Sequence, residues 1–137
     1  MFIHKTQATV SPSVTALNTT TTFMKKMNMT SDEYQEKVVS FRLPSYSIEA
    51  IFAGLAAETG EVMGVRQKFI RDTKANDEKA YGEYLTNIEK ELGDVLWHVA
   101  ALADAYGVRL SSIMDTNIEK LESRKLRGKI GGSGDSR

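Results

Sequence analysis

The chain contains 137 residues, with 18 Lys plus Arg balanced by 18 Asp plus Glu, and it contains no Cys. Its length allows one domain, and the lack of Cys excludes disulfides, a thiol nucleophile and Cys-bound zinc. No apolar run approaches the roughly 18 residues that cross a bilayer, and the balanced charge argues against a basic surface for long nucleic acids. We therefore expect a soluble protein in a reducing compartment.

The zero net charge is unevenly distributed along the chain. Residues 1–31 contain three Lys and no acid, residues 32–104 contain 14 acids against eight basic residues, and residues 105–137 contain seven basic residues against four acids. An acidic middle next to a basic end indicates a site that needs charges of both signs.

Residues 1–29 are expected to form a disordered tail. Thr is frequent in this segment, and its apolar residues follow no regular period. Such a segment cannot bury enough surface to offset the entropy lost on ordering. The predicted folded unit is residues 30–127, and residues 128–137 form a second, Gly-rich tail.

Four helices are predicted within this unit. Thr30 and Glu33 have the spacing of a capping box, and the helix that they begin should end before Leu43-Pro44. A second helix begins near Ser47, where apolar positions recur in steps of three and four residues. Its predicted buried face contains Ile51, Leu55, Glu58, Val62, Val65 and Phe69.

The polar stretch from Arg71 to Lys79 is expected to be a loop, followed by a third helix over residues 80–106 that ends at Gly107. The predicted buried stripe of the third helix contains Leu85, Ile88, Leu92, Val95, Val99 and Leu102.

A fourth helix is expected to run to about residue 127, with Ser111 or Ser112 as its N-cap. No alternating strand pattern is present, so the predicted fold is an all-α four-helix bundle. A core of about 100 residues is small, and we therefore expect bundles to associate.

Four carboxylates occupy unexpected positions on the two long helices. Glu58 and Glu61 are three residues apart on the second helix, and Glu91 and Asp94 repeat that spacing on the third. If these helices pack antiparallel, the four side chains meet between them. Their repulsion and lost hydration need compensation, and a hard cation such as Mg²⁺ prefers such oxygen ligands. The alternative is that all four are ordinary exposed helix carboxylates.

The fourth helix carries the opposite charge. Asn117, Lys120 and Arg124 follow one another in steps of three and four residues and share a face, which is suited to phosphate oxygens. A solvated basic face is the alternative interpretation. Tyr46, in the turn before the second helix, either stacks on a nucleobase or packs in the core, and His98 is either a proton shuttle or a packing residue.

Glu58-x-x-Glu61 followed by Glu91-x-x-Asp94 resembles the MazG-like nucleoside triphosphate pyrophosphohydrolases, the all-α NTP pyrophosphatases. The resemblance covers about residues 30–137 and is closest to the short phage and bacterial members. It also rests on residues 54–62 (GLAAETGEV), 91–97 (ELGDVLW), Asn117-x-x-Lys120-Leu121-x-x-Arg124 and 132–137 (GSGDSR). The 29-residue spacer between Glu61 and Glu91 is at the long end for the family, and we attribute it to a longer loop at Arg71–Lys79.

This resemblance implies hydrolysis between the α- and β-phosphates of a nucleoside triphosphate, giving a monophosphate and pyrophosphate. It implies Mg²⁺, with Mn²⁺ as a substitute, held by Glu58, Glu61, Glu91 and Asp94. It further implies substrate contacts from Asn117, Lys120 and Arg124, with Lys68 as an additional candidate. A homodimer or homotetramer in the cytoplasm of a bacterium or of a phage-infected host cell is expected, without a membrane or a long nucleic acid as partner.

Two alternatives remain open at this point. The same class of enzyme can act on dUTP, a damaged nucleotide, phosphoribosyl-ATP or a guanosine alarmone. A non-catalytic helical module for regulation or interaction is the second alternative, although all four carboxylates are present.

Overall fold

The computed structural model describes residues 29–74 and 77–131, and this part of the chain contains four α-helices and no strand. They are α1 (Ser31–Phe41), α2 (Ile48–Asp72), α3 (Glu78–Ala105) and α4 (Leu110–Leu126). The predicted all-α class is therefore confirmed. Most of the two predicted tails lies outside the described residues, and none of the described helices is long and apolar enough to span a membrane.

The predicted capping box of the first helix is present, and a side chain also caps the second helix. The Thr30 hydroxyl accepts from the Glu33 backbone N–H at 3.2 Å, and the Glu33 carboxylate accepts from the Thr30 N–H at 2.7 Å. At the start of α2, the Ser47 hydroxyl accepts from the Ala50 N–H at 3.3 Å. Local side-chain chemistry thus fixes where these helices begin.

The loop predicted over Arg71–Lys79 is shorter in the structure. Helix α2 continues to Asp72, and α3 begins at Glu78, where the Asp77 carboxylate caps it by accepting from the Ala80 N–H at 2.9 Å. The long spacer between the two pairs of carboxylates is therefore mostly helix. Charged residues at these positions sit on exposed helix ends, where the polar pattern resembles that of a loop.

Helices α2 and α3 pack antiparallel and form the main contact of the fold. Phe52 lies edge-on to Tyr106 at 6.4 Å between ring centroids, whereas at the opposite end Phe69 stacks on Tyr84 at 4.3 Å. Early residues of α2 thus pair with late residues of α3, as the antiparallel prediction requires.

The predicted buried stripe of α3 combines two different faces. Leu85 and Leu92 are 47% and 50% exposed, and Leu96, on the same side, is 45% exposed. The half-buried or buried face instead recurs in steps of four and three residues and contains Tyr84, Ile88, Glu91, Val95, His98 and Leu102. Because α3 is apolar on two sides, periodicity alone does not identify which side meets α2.

The core is small and contains side chains from all four helices. Its fully buried members are Val38, Ile51, Ala100, Ala101 and Leu110. Helices α1, α3 and α4 pack against one another. Within the described residues, the backbones of α1 and α4 do not come close to that of α2.

The start of α4 differs from the prediction that Ser111 or Ser112 caps it. The helix begins at Leu110 after Gly107, which has a φ of 66°, and the N-cap residue Arg109 makes no side-chain cap. Two side chains of α1 replace the missing cap: Gln35 accepts from the Leu110 N–H at 2.7 Å, and Asp32 accepts from the Ser111 N–H at 3.1 Å.

Candidate metal and nucleotide site

Three of the predicted carboxylates come together between α2 and α3. One oxygen from each of Glu58, Glu61 and Glu91 lies within 4.8 Å of the others. Glu58 and Glu91 are half-buried and Glu61 is exposed, so the cluster lies at the edge of the helix interface. The i, i+3 spacing on α2 and the antiparallel pairing with α3 together bring these side chains to one place.

Asp94 is exposed and is not among the three carboxylates that lie within 4.8 Å of one another. Burial, together with the negative charge of Asp94, raises the pKa of the Tyr34 hydroxyl on α1. Asp94 is therefore one turn from Glu91 along α3 but lies near Tyr34, and its role as a ligand stays a prediction.

The composition of the cluster suits a hard divalent cation. All three donors are carboxylate oxygens, and within residues 29–74 and 77–131 no described ion pair involves them. Mg²⁺ binds oxygen at about 2.0–2.1 Å in an octahedral shell, so two of its ligands lie up to about 4.2 Å apart. The three oxygens, which lie within 4.8 Å of one another, would have to move closer together to bind one ion.

Lys68 lines a groove that continues from Glu91 toward the end of α2. The groove has a volume of about 330 Å³ and is also lined by Phe69, Tyr84 and Asn87. Two residues earlier on α2, the Arg66 guanidinium lies 5.7 Å from the centre of the Tyr84 ring. Lys68 therefore offers a positive charge in the same groove as one of the clustered carboxylates.

Tyr46 is half-buried next to His98 and Trp97. The His98 Nδ1 lies 3.0 Å from the backbone oxygen of Asp94, which can only accept, so Nδ1 carries the proton. Nε2 then accepts from the Tyr46 hydroxyl at 3.4 Å. Trp97 packs against Tyr46 with 6.1 Å between ring centroids. The structure thus shows packing by both Tyr46 and His98, and a contact of Tyr46 with a nucleobase stays a prediction.

The polar face of α4 is only partly accessible. Asn117 and Lys120 are exposed and line a shallow groove together with Thr116, whereas Arg124 is only 5% exposed. Helix α4 packs against α3 and not against α2 among the described helices, and the role of Asn117, Lys120 and Arg124 as substrate contacts stays a prediction.

Sequence reasoning missed Asp32 and Gln35, the residues of α1 that hold the start of α4. In the sequence, Asp32 belongs to the first turn of α1, and its partner Ser111 lies 79 residues further on. The sequence gives only an indirect sign of this contact. Arg109 occupies the N-cap position of α4, where Ser, Thr, Asp or Asn is usual, so the cap has to come from another part of the chain.

Comparisons with known proteins give consistent results. The family model of the MazG nucleotide pyrophosphohydrolase domain matches residues 46–127, which include the whole carboxylate cluster and α4. The Gene 37 protein of Mycobacterium phage L5 is 44% identical over 84 residues, covering 61% of this chain and 71% of the phage protein. The uncharacterized protein YvdC of Bacillus subtilis (strain 168) is 39% identical over 72 residues, covering 51% of this chain and 68% of YvdC. No solved structure matches the chain.

Proposed function

The chain belongs to the MazG nucleotide pyrophosphohydrolase family, and we propose that it hydrolyses a nucleoside triphosphate between the α- and β-phosphates in a Mg²⁺-dependent reaction. The products would be a nucleoside monophosphate and pyrophosphate. The observation that carries this proposal is the meeting of Glu58, Glu61 and Glu91 between α2 and α3.

Glu58, Glu61 and Glu91 would hold the cation, with Asp94 joining them after a change of rotamer. When bound, Mg²⁺ or its substitute Mn²⁺ supplies Lewis-acid polarisation of the phosphoryl oxygens and orientation of a water. The exposed Glu61 is the member of the cluster best placed to accept a proton from that water, since solvent reaches it.

The positive side chains of the chain would act on the leaving group. Lys68, in the groove next to Glu91, can donate to phosphate oxygens as negative charge builds on pyrophosphate. Asn117 and Lys120 offer further donors on α4, and the buried Arg124 supports the same face. The acidic middle and the basic end of the sequence would then serve one site.

We further propose that the active form is a homodimer or a homotetramer. Many large apolar side chains remain exposed, among them Phe52, Leu92, Leu96 and Ile118. Since α4 does not pack on α2 within one chain, association also offers a way to bring a polar α4 face near a carboxylate cluster. Neither a membrane nor a long nucleic acid is a proposed partner.

The test is release of pyrophosphate, rather than orthophosphate, from a panel of canonical ribo- and deoxynucleoside triphosphates, dUTP, phosphoribosyl-ATP and a guanosine alarmone. We expect Mg²⁺-dependent turnover of at least one of them. Glu61→Gln and Asp94→Asn should each abolish turnover while the far-UV helical signal is unchanged. Glu89→Gln, on the exposed side of α3, is the matched control and should stay active.

No pyrophosphate from any compound with Mg²⁺ or Mn²⁺ would contradict the proposal and favour a helical interaction module. Turnover that survives Glu61→Gln would place the reaction elsewhere on the molecule. Loss of activity in Glu89→Gln would show that turnover is abolished by removing any acid from this surface, and that the effect is not specific to the proposed ligands.

A further inference from the structure

Helix α4 has no capping side chain and no acidic residue of its own at its N-terminus. Arg109, its N-cap, makes no side-chain hydrogen bond to the first turn, and that turn contains no acidic residue. The first backbone N–H groups of a helix need acceptors, and the positive end of the helix dipole favours a nearby negative charge. The fold therefore has to supply both from another element.

Helix α1 supplies them through two side chains, Asp32 and Gln35. Asp32 accepts from the Ser111 N–H at 3.1 Å and from the Ser111 hydroxyl at 3.0 Å, and it pairs with Arg109 at 3.1 Å. Gln35 accepts from the Leu110 N–H at 2.7 Å and donates to the Val108 carbonyl at 2.8 Å. These five contacts, from one turn of α1, enclose the turn before α4 as well as the first residues of the helix.

The direction of α4 has consequences far from this contact. Lys120 is ten residues beyond Leu110, or about 15 Å along the axis at 1.5 Å per residue. A tilt of about 10° at the start of the helix moves a side chain at that distance by roughly 2.6 Å. Asn117 and Lys120 are exposed, so the orientation of the helix decides where their donors lie.

We propose that Asp32 and Gln35 are positioning residues for the reaction, which act by fixing α4 so that Asn117 and Lys120 meet the phosphates of the substrate. The proposal rests on the proposed function, because it assigns these two α4 side chains to the substrate. Asp32 and Gln35 themselves contact α4 and the preceding turn, not the carboxylate cluster.

A double-mutant cycle tests the proposal. In the wild-type background, Asp32→Ala should lower kcat/KM for the best substrate about tenfold, since misplacement by a few ångströms weakens oriented contacts. In the Asn117→Ala/Lys120→Ala background, the same change should cost less than about twofold, because the side chains that Asp32 positions are already absent. Glu36→Gln, on the same helix, is the matched control and should leave kcat/KM unchanged.

A second measurement separates positioning from general damage. Mn²⁺ affinity, followed by electron paramagnetic resonance, should be the same in Asp32→Ala and in the wild-type protein, since the three clustered carboxylates lie on α2 and α3. If Asp32→Ala does not fold, Asp32→Asn replaces it. Asn retains one oxygen for the Ser111 N–H but loses the charge, so a smaller loss with the same dependence on background is expected.

The outcomes distinguish the two proposals. The positioning role would be overturned if Asp32→Ala lowered kcat/KM by the same factor in both backgrounds, if Asp32→Ala were fully active, or if it weakened Mn²⁺ binding. Each of these results would leave the proposed pyrophosphohydrolase activity of the wild-type protein in place. Absence of pyrophosphate release by the wild-type protein would overturn the proposed function and the positioning role together.

Discussion

At the scale of single residues, Gly54 shows how closely α2 approaches α3. A Cβ atom at this position would lie 2.1 Å from Nε2 of His98 and 3.0 Å from the Tyr46 hydroxyl. His98 is itself 7% exposed and is held by the Asp94 carbonyl, so its ring has little room to retreat. The absence of a side chain at Gly54 is therefore a packing requirement one turn before Glu58.

We predict that Gly54→Ala lowers the free energy of unfolding by about 1–3 kcal/mol, the usual range for overpacking in a core. Urea denaturation followed by circular dichroism measures this change. Gly64→Ala in the same helix is the control: its Cβ would meet nothing within 4 Å, so the better helix propensity of Ala should stabilise the protein slightly. Equal effects of the two substitutions would contradict the close contact with His98.

At the scale of elements, a contact can be predicted from the sequence when the residues that make it are close together along the chain. Thr30 and Glu33 belong to one turn, so the capping box was predictable and is present. The cap of α4 was not, because it comes from Asp32 on another helix. The same reason applies to the site: the pairs Glu58-Glu61 and Glu91-Asp94 could be recognised by spacing, whereas spacing does not tell which of the four carboxylates come within 4.8 Å of one another across two helices.

The contact between α1 and α4 should depend on pH. Hydrogen bonds from the Ser111 backbone N–H and hydroxyl, and the nearby Arg109, hold the pKa of Asp32 below its usual value. A lowered pKa means that the stabilisation is present above the unfolded-state pKa of about 3.9 and is lost as the pH falls through the folded-state pKa. We predict that the wild-type protein is more stable than Asp32→Asn at pH 7 and that this difference shrinks below about pH 4.

Urea titrations of both proteins between pH 7 and pH 2.5 measure that difference. Ser45→Ala, in the exposed turn between α1 and α2, is the control and should follow the wild-type curve. A stability difference between wild type and Asp32→Asn that is constant with pH would show that the carboxylate charge does not contribute.

The pairing of α2 with α3 should also respond to metal. Because Glu58 and Glu61 come from one helix and Glu91 from the other, a cation bound by all three stabilises the folded pair and not the unfolded chain. We predict that Mg²⁺ at 100 times its dissociation constant raises the free energy of unfolding by about 2.7 kcal/mol.

Thermal melts with and without Mg²⁺ test this prediction, and Glu91→Gln should remove most of the increase. Na⁺ at equal ionic strength is the control for general screening. An increase of the same size in Glu91→Gln would mean that the ion binds elsewhere.

At the scale of the whole molecule, the balance between a small core and a large exposed apolar surface is the main feature. Among the described residues six apolar side chains are buried, whereas Leu85, Leu92 and Leu96 form an exposed stripe on α3. A monomer rarely leaves so many large apolar side chains in water, and their burial between copies would stabilise both.

We predict that the protein sediments as a dimer or tetramer at tens of micromolar and that Leu92→Glu shifts it toward the monomer. A charge in the centre of an apolar interface is not compensated, so association should weaken by at least tenfold. Leu126→Glu, which changes a side chain that is 89% exposed at the end of α4, is the control. A wild-type monomer in sedimentation velocity at these concentrations would contradict the prediction.

The place of α1 in the fold bears on where this protein can be divided. The family match begins at residue 46, five residues after α1 ends, although Val38 of α1 belongs to the buried core and its polar side chains cap α4. A fragment cut at that boundary would contain every proposed ligand, yet it would remove Val38 from the core and leave the Leu110 N–H without its acceptor. The recognisable family region thus begins after α1, although α1 contributes to the core and holds the start of α4.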